Sequence, residues 1–315
     1  YKAVISMNLP KLIATSVVRG SEKGQSHGGV YTIDFNSHEV EQHIDWNDGD
    51  IDFSGRGWDR GLRGIEFIDQ QVWIAASDEL FCYSPEFELL GSYRNEYLKH
   101  CHEISRRDHL LFLTSTGYDS VLVFNLKTLS FIWGLYISRN GDDWVGQRFD
   151  PMAQSGPPFS NNYHINMIHV AETGVYFSGL HTRALLRLSS DMTIDQVCSL
   201  PEGTHNARPF ADGVIFNDTK SDVLRHVRRE GKSVTVKVPS YKEEDLKFHG
   251  VDSTKVARQS FGRGLCAVSN GIVAAGSSPS TISLYDMKAG ERIAVVNLTM
   301  DIRNAIHGLE VWPFD

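Results

Sequence analysis

Long apolar runs are missing from this chain of 315 residues, so no stretch approaches the length a bilayer-spanning helix needs. Cysteine is scarce. Cys82, Cys101, Cys198 and Cys266 show no C-x-x-C spacing, and three of them sit inside strand-like runs as small buried hydrophobes. That usage favours a reduced, cytoplasmic setting. The chain starts at Tyr1 rather than Met, so a cleaved signal peptide would leave no trace. Positive charge is not in excess: 31 Lys and Arg stand against 39 Asp and Glu, for a net charge of −8. A mildly acidic balance argues against broad binding to nucleic acid or an anionic membrane. The short basic cluster of Arg225, Arg228, Arg229 and Lys232 reads as a solvated strand end. Nucleophile and phosphate motifs are absent too: there is no G-x-S-x-G and no P-loop, and Ser54-Gly55-Arg56-Gly57 does not join a strand to a helix. Helical periodicity is almost absent.

What the chain does have is a series of short Val/Ile/Leu/Phe-rich runs broken by Gly, Asp, Asn and Ser, the pattern of an all-β protein. Apolar residues at 41% and charged residues at 22% suit a globular chain with a full core. Six segments look alike: Arg63-Gly64-Ile65-Glu66-Phe67, His102-Glu103-Ile104, His164-Ile165-Asn166-Met167-Ile168, His205-Asn206-Ala207-Arg208, Arg263-Gly264-Leu265 and His307-Gly308-Leu309-Glu310-Val311. Their leading residues are spaced by 39, 62, 41, 58 and 44 positions. A period of roughly forty with two lengthened steps predicts a six-bladed β-propeller in one domain over 1–315.

The blades are expected to begin their inner strands at 64–67, 102–104, 164–170, 205–210 and 264–268. The sixth blade is split, with 307–312 as inner strand and 11–45 as outer strands. Pairing the two ends closes the ring and leaves no free sheet edge. Three long connections, 46–62, 138–163 and 241–262, each join an outer strand to the next inner strand. They share the channel mouth with the six leading residues. Loops of this length are commonly functional lids or disordered, and surface decoration with trapped aromatics is the competing reading. Trp58, Asp59, Arg60, Trp144 and Arg148 equip two of them to cover a substrate.

Residues far apart in sequence thus meet in one ring. His102, His164, His205 and His307 share one repeat position, and neutral imidazoles converging there would bind iron, zinc, manganese or copper. Calcium, which prefers oxygen donors, is less suited. His100 is a further candidate, facing the same side as His102 if the segment is extended. Glu103, Glu310 and Glu66 follow the ring closely. They are expected to orient the histidines from behind or to act as base. Arg63 and Arg263 complete the ring and suit an anionic group.

The six-blade layout and these strand-starting motifs resemble the superfamily of gluconolactonase, senescence marker protein, paraoxonase and strictosidine synthase. They are also similar to bacterial propellers with histidine- and Arg-Gly-Leu-started blades. The resemblance implies a single calcium held in the channel by oxygen ligands, for which Glu66, Asn166 and Asn206 are the nearest matches. Histidine leads where that pattern offers oxygen.

Three functions compete. The first is a metal-dependent enzyme acting in the channel on a small polar or anionic substrate, a hydrolase or lyase before an oxygenase. It would use the four histidines as ligands, the glutamates as base or support, and Arg63, Arg263, Trp58, Trp144 and Arg148 on the substrate. The second is a metal-free module that captures an anionic ligand. The third is a protein-interaction scaffold.

Overall fold

The computed structural model describes residues 8–47, 61–248 and 257–314. The first three strands are β1 (Leu12–Val18), β2 (Gly29–Asp34) and β3 (Glu39–Asp45). A second sheet contains β4 (Ile65–Ile68), β5 (Gln71–Ala75), β6 (Glu79–Tyr83) and β7 (Leu89–Arg94). A third contains β8 (Ile104–Arg107), β9 (Leu110–Ser115), β10 (Ser120–Asn125), β11 (Ser130–Asn140) and β12 (Asp143–Phe149). Then come β13 (Ile165–Ala171), β14 (Gly174–Gly179), β15 (Ala184–Leu188) and β16 (Ile194–Ser199). The fifth sheet is β17 (Thr204–Phe210), β18 (Gly213–Asp218), β19 (Val223–Arg228) and β20 (Ser233–Lys237). The sixth is β21 (Leu265–Ser269), β22 (Ile272–Ser277), β23 (Thr281–Asp286) and β24 (Glu291–Asn297). The last strand, β25 (Asn304–Val311), returns to the first sheet in the order β25-β1-β2-β3. These are the six blades of a β-propeller, and the N-terminal strands close the ring against the C-terminal one.

Burial explains the sequence pattern. Middle strands are covered on both faces by neighbouring blades: β1, β6 and β22 are buried along their whole length. They are accordingly rich in apolar and small residues, with no alternation of polar and apolar positions. The outermost strand β20 alternates exposed and half-buried residues, and its sequence Ser-Val-Thr-Val-Lys alternates with them. Between blades, Trp73, Leu98, Leu113 and Phe124 share one core cluster, and Val121, Ile137, Ile168 and Phe177 another. Each such side chain contributes about 1.5–3 kcal/mol by leaving water.

The inner strands approach one another closely where they begin. A Cβ on Gly308 would lie 2.2 Å from the Arg63 carbonyl oxygen. Gly264 has φ +77°, and its Cβ would meet the His307 carbonyl oxygen at 3.0 Å. Gly308 is thus required by neighbouring backbone, and Gly264 by its own left-handed conformation as well. Thr15 adds a clasp: its hydroxyl donates to the Arg63 carbonyl at 2.6 Å and accepts from the Gly308 N–H at 2.8 Å. The register of β1 against β25 shifts at this point, between Ala14 and Ser16.

One expected lid is corrected. Within 138–163, β11 runs on to Asn140 and turns back as β12, a fifth strand paired from Gly134↔Phe149 to Asn140↔Asp143. Only the stretch after Phe149 remains a connection. The residues of 46–62 and 241–262 that would form the other lids lie partly outside the described residues, Trp58, Asp59 and Arg60 among them.

Candidate functional site at the channel mouth

The leading residues stand one or two positions before β4, β8, β13 and β21, second in β17 and fourth in β25, so the fold turns them toward the same end of the channel. Arg63, His102, His205, Arg263 and His307 are buried, and His164 is half-buried. The His102 and His164 rings meet edge to face, with centroids 5.3 Å apart.

The ring histidines share a tautomer. Nδ1–H of His102 donates to the His100 carbonyl at 2.6 Å, that of His205 to Gly203 at 3.1 Å, and that of His307 to Ala305 at 3.2 Å. His102 Nδ1 also lies 2.9 Å from the Thr116 hydroxyl. His164 Nδ1 pairs with Asn161 Oδ1 at 2.9 Å. A carbonyl only accepts, so Nδ1 holds the proton and Nε2 keeps a lone pair. The acceptor two residues upstream explains why no carboxylate is needed behind these rings. This corrects the expected support by glutamates. His100 is not extended either: its φ is +54°, and its carbonyl rather than its ring serves the site.

His164 is placed by a different device. The Asp119 carboxylate, fully buried, accepts from the backbone N–H groups of Asn162 (2.5 Å), Tyr163 (3.0 Å) and His164 (2.9 Å), and from the Ser160 hydroxyl (2.9 Å). Four bonds to one carboxylate hold the last turn of the connection before β13.

Two arginines sit within the ring. Arg63 Nη1 donates to the Cys101 carbonyl at 3.1 Å. Arg263 Nη1 donates to His307 Nε2, which occupies that lone pair. Arg263, Arg258 and Arg19 place their guanidinium carbons 4.8, 5.0 and 5.1 Å from the centroid of Phe261, and His205 meets the same ring edge-on at 5.2 Å. Phe261 is the hub of a cationic cluster. Burial drives all four ring histidines below the ordinary imidazole range, His164 to about 3, and Arg263 pushes each of them further the same way. They are neutral at pH 7. His205 Nε2 is buried without a hydrogen-bond partner, as are both amide atoms of Asn166.

Among the described residues, no three His, Cys, Asp or Glu side chains converge closely enough to hold a metal ion. The tautomer suits ligation, but the spacing and the Arg263–His307 contact do not.

The glutamates lie apart from the ring and are half-buried. Glu66, Glu103 and Glu310 line a separate cavity of about 220 Å³, whose walls include no ring histidine. Burial raises Glu66 to about 7 and Glu103 and Glu310 to about 8. Trp144 and Arg148 are elsewhere again. They lie on β12, outermost in its blade. Trp144 packs on Tyr163 and under Arg139, and Arg148 covers Trp133.

Sequence reading passed over Phe261, Arg19, Arg258, Asp119 and Arg208. Arg208 alone left a signal: it stands three residues after His205, as Glu66 and Glu310 stand three after Arg63 and His307. The others belong to no repeat position.

No family model matches this chain, and no curated protein sequence does. Solved structures are similar in fold. A chain in the crystal structure of a nidogen/laminin complex superposes with TM-score 0.59 at 10% identity, over 95% of this chain and 97% of that one. A protein of unknown function from Bacteroides caccae gives TM-score 0.57 at 10% identity, over 95% and 98%. At such identities the likeness is one of fold, a six-bladed propeller spanning nearly the whole chain.

Proposed function

We propose that the mouth of the central channel captures a small anionic molecule, a carboxylate or a phosphate, without a metal. The observation that carries this reading is Arg263: buried, seated on Phe261, bonded to His307, and electrostatically felt by all four ring histidines. Arg63 on the other side of the ring and Arg19 and Arg258 around Phe261 add to the same positive field. An anion between the guanidinium groups gains paired, charge-assisted hydrogen bonds in a site shielded from solvent. The neutral histidines then take up protons, because an adjacent negative charge favours the imidazolium. The resemblance to the gluconolactonase superfamily adds the general expectation of a small polar ligand in the channel.

Calorimetric titration of chelator-treated protein with inorganic phosphate, acetate and succinate tests this. At least one anion should bind, and more tightly at pH 5.5 than at pH 8. Binding that vanishes with chelator and returns with a divalent transition metal would overturn it.

That second outcome belongs to a metal-dependent hydrolase or lyase, with iron, zinc, manganese or copper on His102, His164, His205 and His307. One observation favours it: every ring Nδ1 is engaged, which leaves Nε2 of His102, His164 and His205 for ligation, and His307 would join them only by giving up its bond from Arg263.

A further inference from the structure

The second compartment of the channel lies toward the far ends of the inner strands, on the side away from the histidine ring. Its polar lining is mixed in sign: Glu66, Glu103 and Glu310 share it with Arg106, Arg208 and His169. Arg106 Nε lies 3.9 Å from Glu66 Oε1. Asn206 fixes Glu103. Its Oδ1 accepts from Gly264 N–H at 3.0 Å and Asn217 Nδ2 at 3.1 Å, so its own amide nitrogen is left to donate to Glu103 Oε2 at 3.3 Å.

Arg208 and Glu310 are different. Among the described residues neither side chain makes a hydrogen bond, and neither has an opposite charge within 4 Å. Yet they act on one another: Arg208 is the foremost charge drawing both Glu103 and Glu310 toward ionisation. A guanidinium and a carboxyl thus face one cavity from different strands, β17 and β25, without touching. The gap suits a molecule that carries both signs.

We propose that this compartment binds a small zwitterion, an amino-carboxylate whose carboxylate pairs with Arg208 and whose ammonium sits between Glu103 and Glu310. A planar guanidinium takes a carboxylate through two parallel hydrogen bonds, and two carboxylates suit the donors of an ammonium. A simple cation leaves Arg208 unpaired and repelled. A simple anion pairs with Arg208 but leaves Glu103 and Glu310 without a cation. A volume of about 220 Å³ admits a compact aliphatic amino acid. The titratable groups turned toward the cavity from the inner strands are Glu66 on β4, Glu103 and Arg106 at β8, His169 on β13, Arg208 on β17 and Glu310 on β25, and Cys266 on β21 lies in the apolar core beside it. The carboxyls hold protons near neutral pH when no cation compensates them. Ammonium binding therefore releases protons, and affinity rises with pH up to the titration of the ligand's own amine. The anion at the mouth has the opposite pH trend, so the two sites are separable.

The test is calorimetry on the intact chain with glycine, L-alanine, β-alanine and 4-aminobutyrate, beside the half-molecules ethylamine and propionate. At least one amino-carboxylate should bind ten-fold or more tightly than either half-molecule. Arg208→Met should weaken it at least ten-fold and Arg208→Lys less, with both variants melting as the parent does. Should Arg208→Met fail to fold, Glu310→Gln serves, weakening the amino-carboxylate and sparing propionate. Ethylamine binding as well as the amino-carboxylates would overturn the assignment in favour of a plain cation site. No binding by any of the four would overturn it outright. Neither result touches the phosphate titration at the mouth.

Discussion

Arg263 does three things with one guanidinium: it bonds His307, stacks on Phe261 and depresses the ring histidines. Lysine performs only one of these at a time, since an ammonium neither stacks as a plane nor holds two donors in register. Arg263→Met should weaken anion binding at the mouth by about ten- to one hundred-fold, the loss of one charge-assisted hydrogen bond. Arg263→Lys should recover part of it. Equal affinities for parent, Lys and Met forms would remove Arg263 from the site. The six blades were legible in the sequence because six similar segments recur at a period of about forty residues. The cationic cluster at Phe261 was not legible, because Arg19, Arg258 and Phe261 come from connections whose geometry no period encodes. Arg208 falls between: its offset from His205 matches that of Glu66 and Glu310 from their own leading residues, but the sign of its charge hid the match.

At the level of elements, the inner strands begin in contact, and their junctions carry the ring. Thr15 joins the split blade to its neighbour through the Arg63 carbonyl and the Gly308 N–H. Valine has the same shape and neither bond. Thr15→Val leaves a buried donor and a buried acceptor without partners, which should cost about 2–4 kcal/mol. The loss should appear as a lower denaturant midpoint with unchanged slope. A midpoint equal to the parent's would mean that the clasp is redundant. Strand existence was readable from the apolar runs. The hairpin of β11 and β12 was misread as a lid because its outward strand alternates exposed and half-covered residues, a pattern that resembles a polar loop. Trp144 looked like a substrate cover for the same reason. It serves instead as an anchor, buried against Tyr163.

For the whole molecule, the two layers of the channel give stability opposite dependences on pH. The ring histidines have folded pKa values below the ordinary 6.5, so the folded state binds fewer protons than the unfolded chain. Their contribution is complete above about pH 6.5 and is lost as pH falls toward the folded values. The glutamates have folded pKa values raised from 4.5 to between about 7 and 8, so the folded state holds protons that the unfolded chain has released. Their contribution is complete below about pH 4.5 and is lost as pH rises through that range. Above about pH 6.5 only the glutamates still change, and below about 4.5 only the histidines do. The melting temperature should therefore be highest on the mildly acidic side, between about pH 5 and 6.5, and should fall on going to pH 8.5. Glu103→Gln and Glu310→Gln together should flatten that alkaline fall, since an amide has no proton to lose, while leaving the acid fall in place. A melting temperature that climbs from pH 6.5 to 8.5 in the parent would mean that the carboxyls are ionised in the folded protein. Arg208 would then already neutralise them, and the lower cavity would have no protons to exchange for an ammonium group.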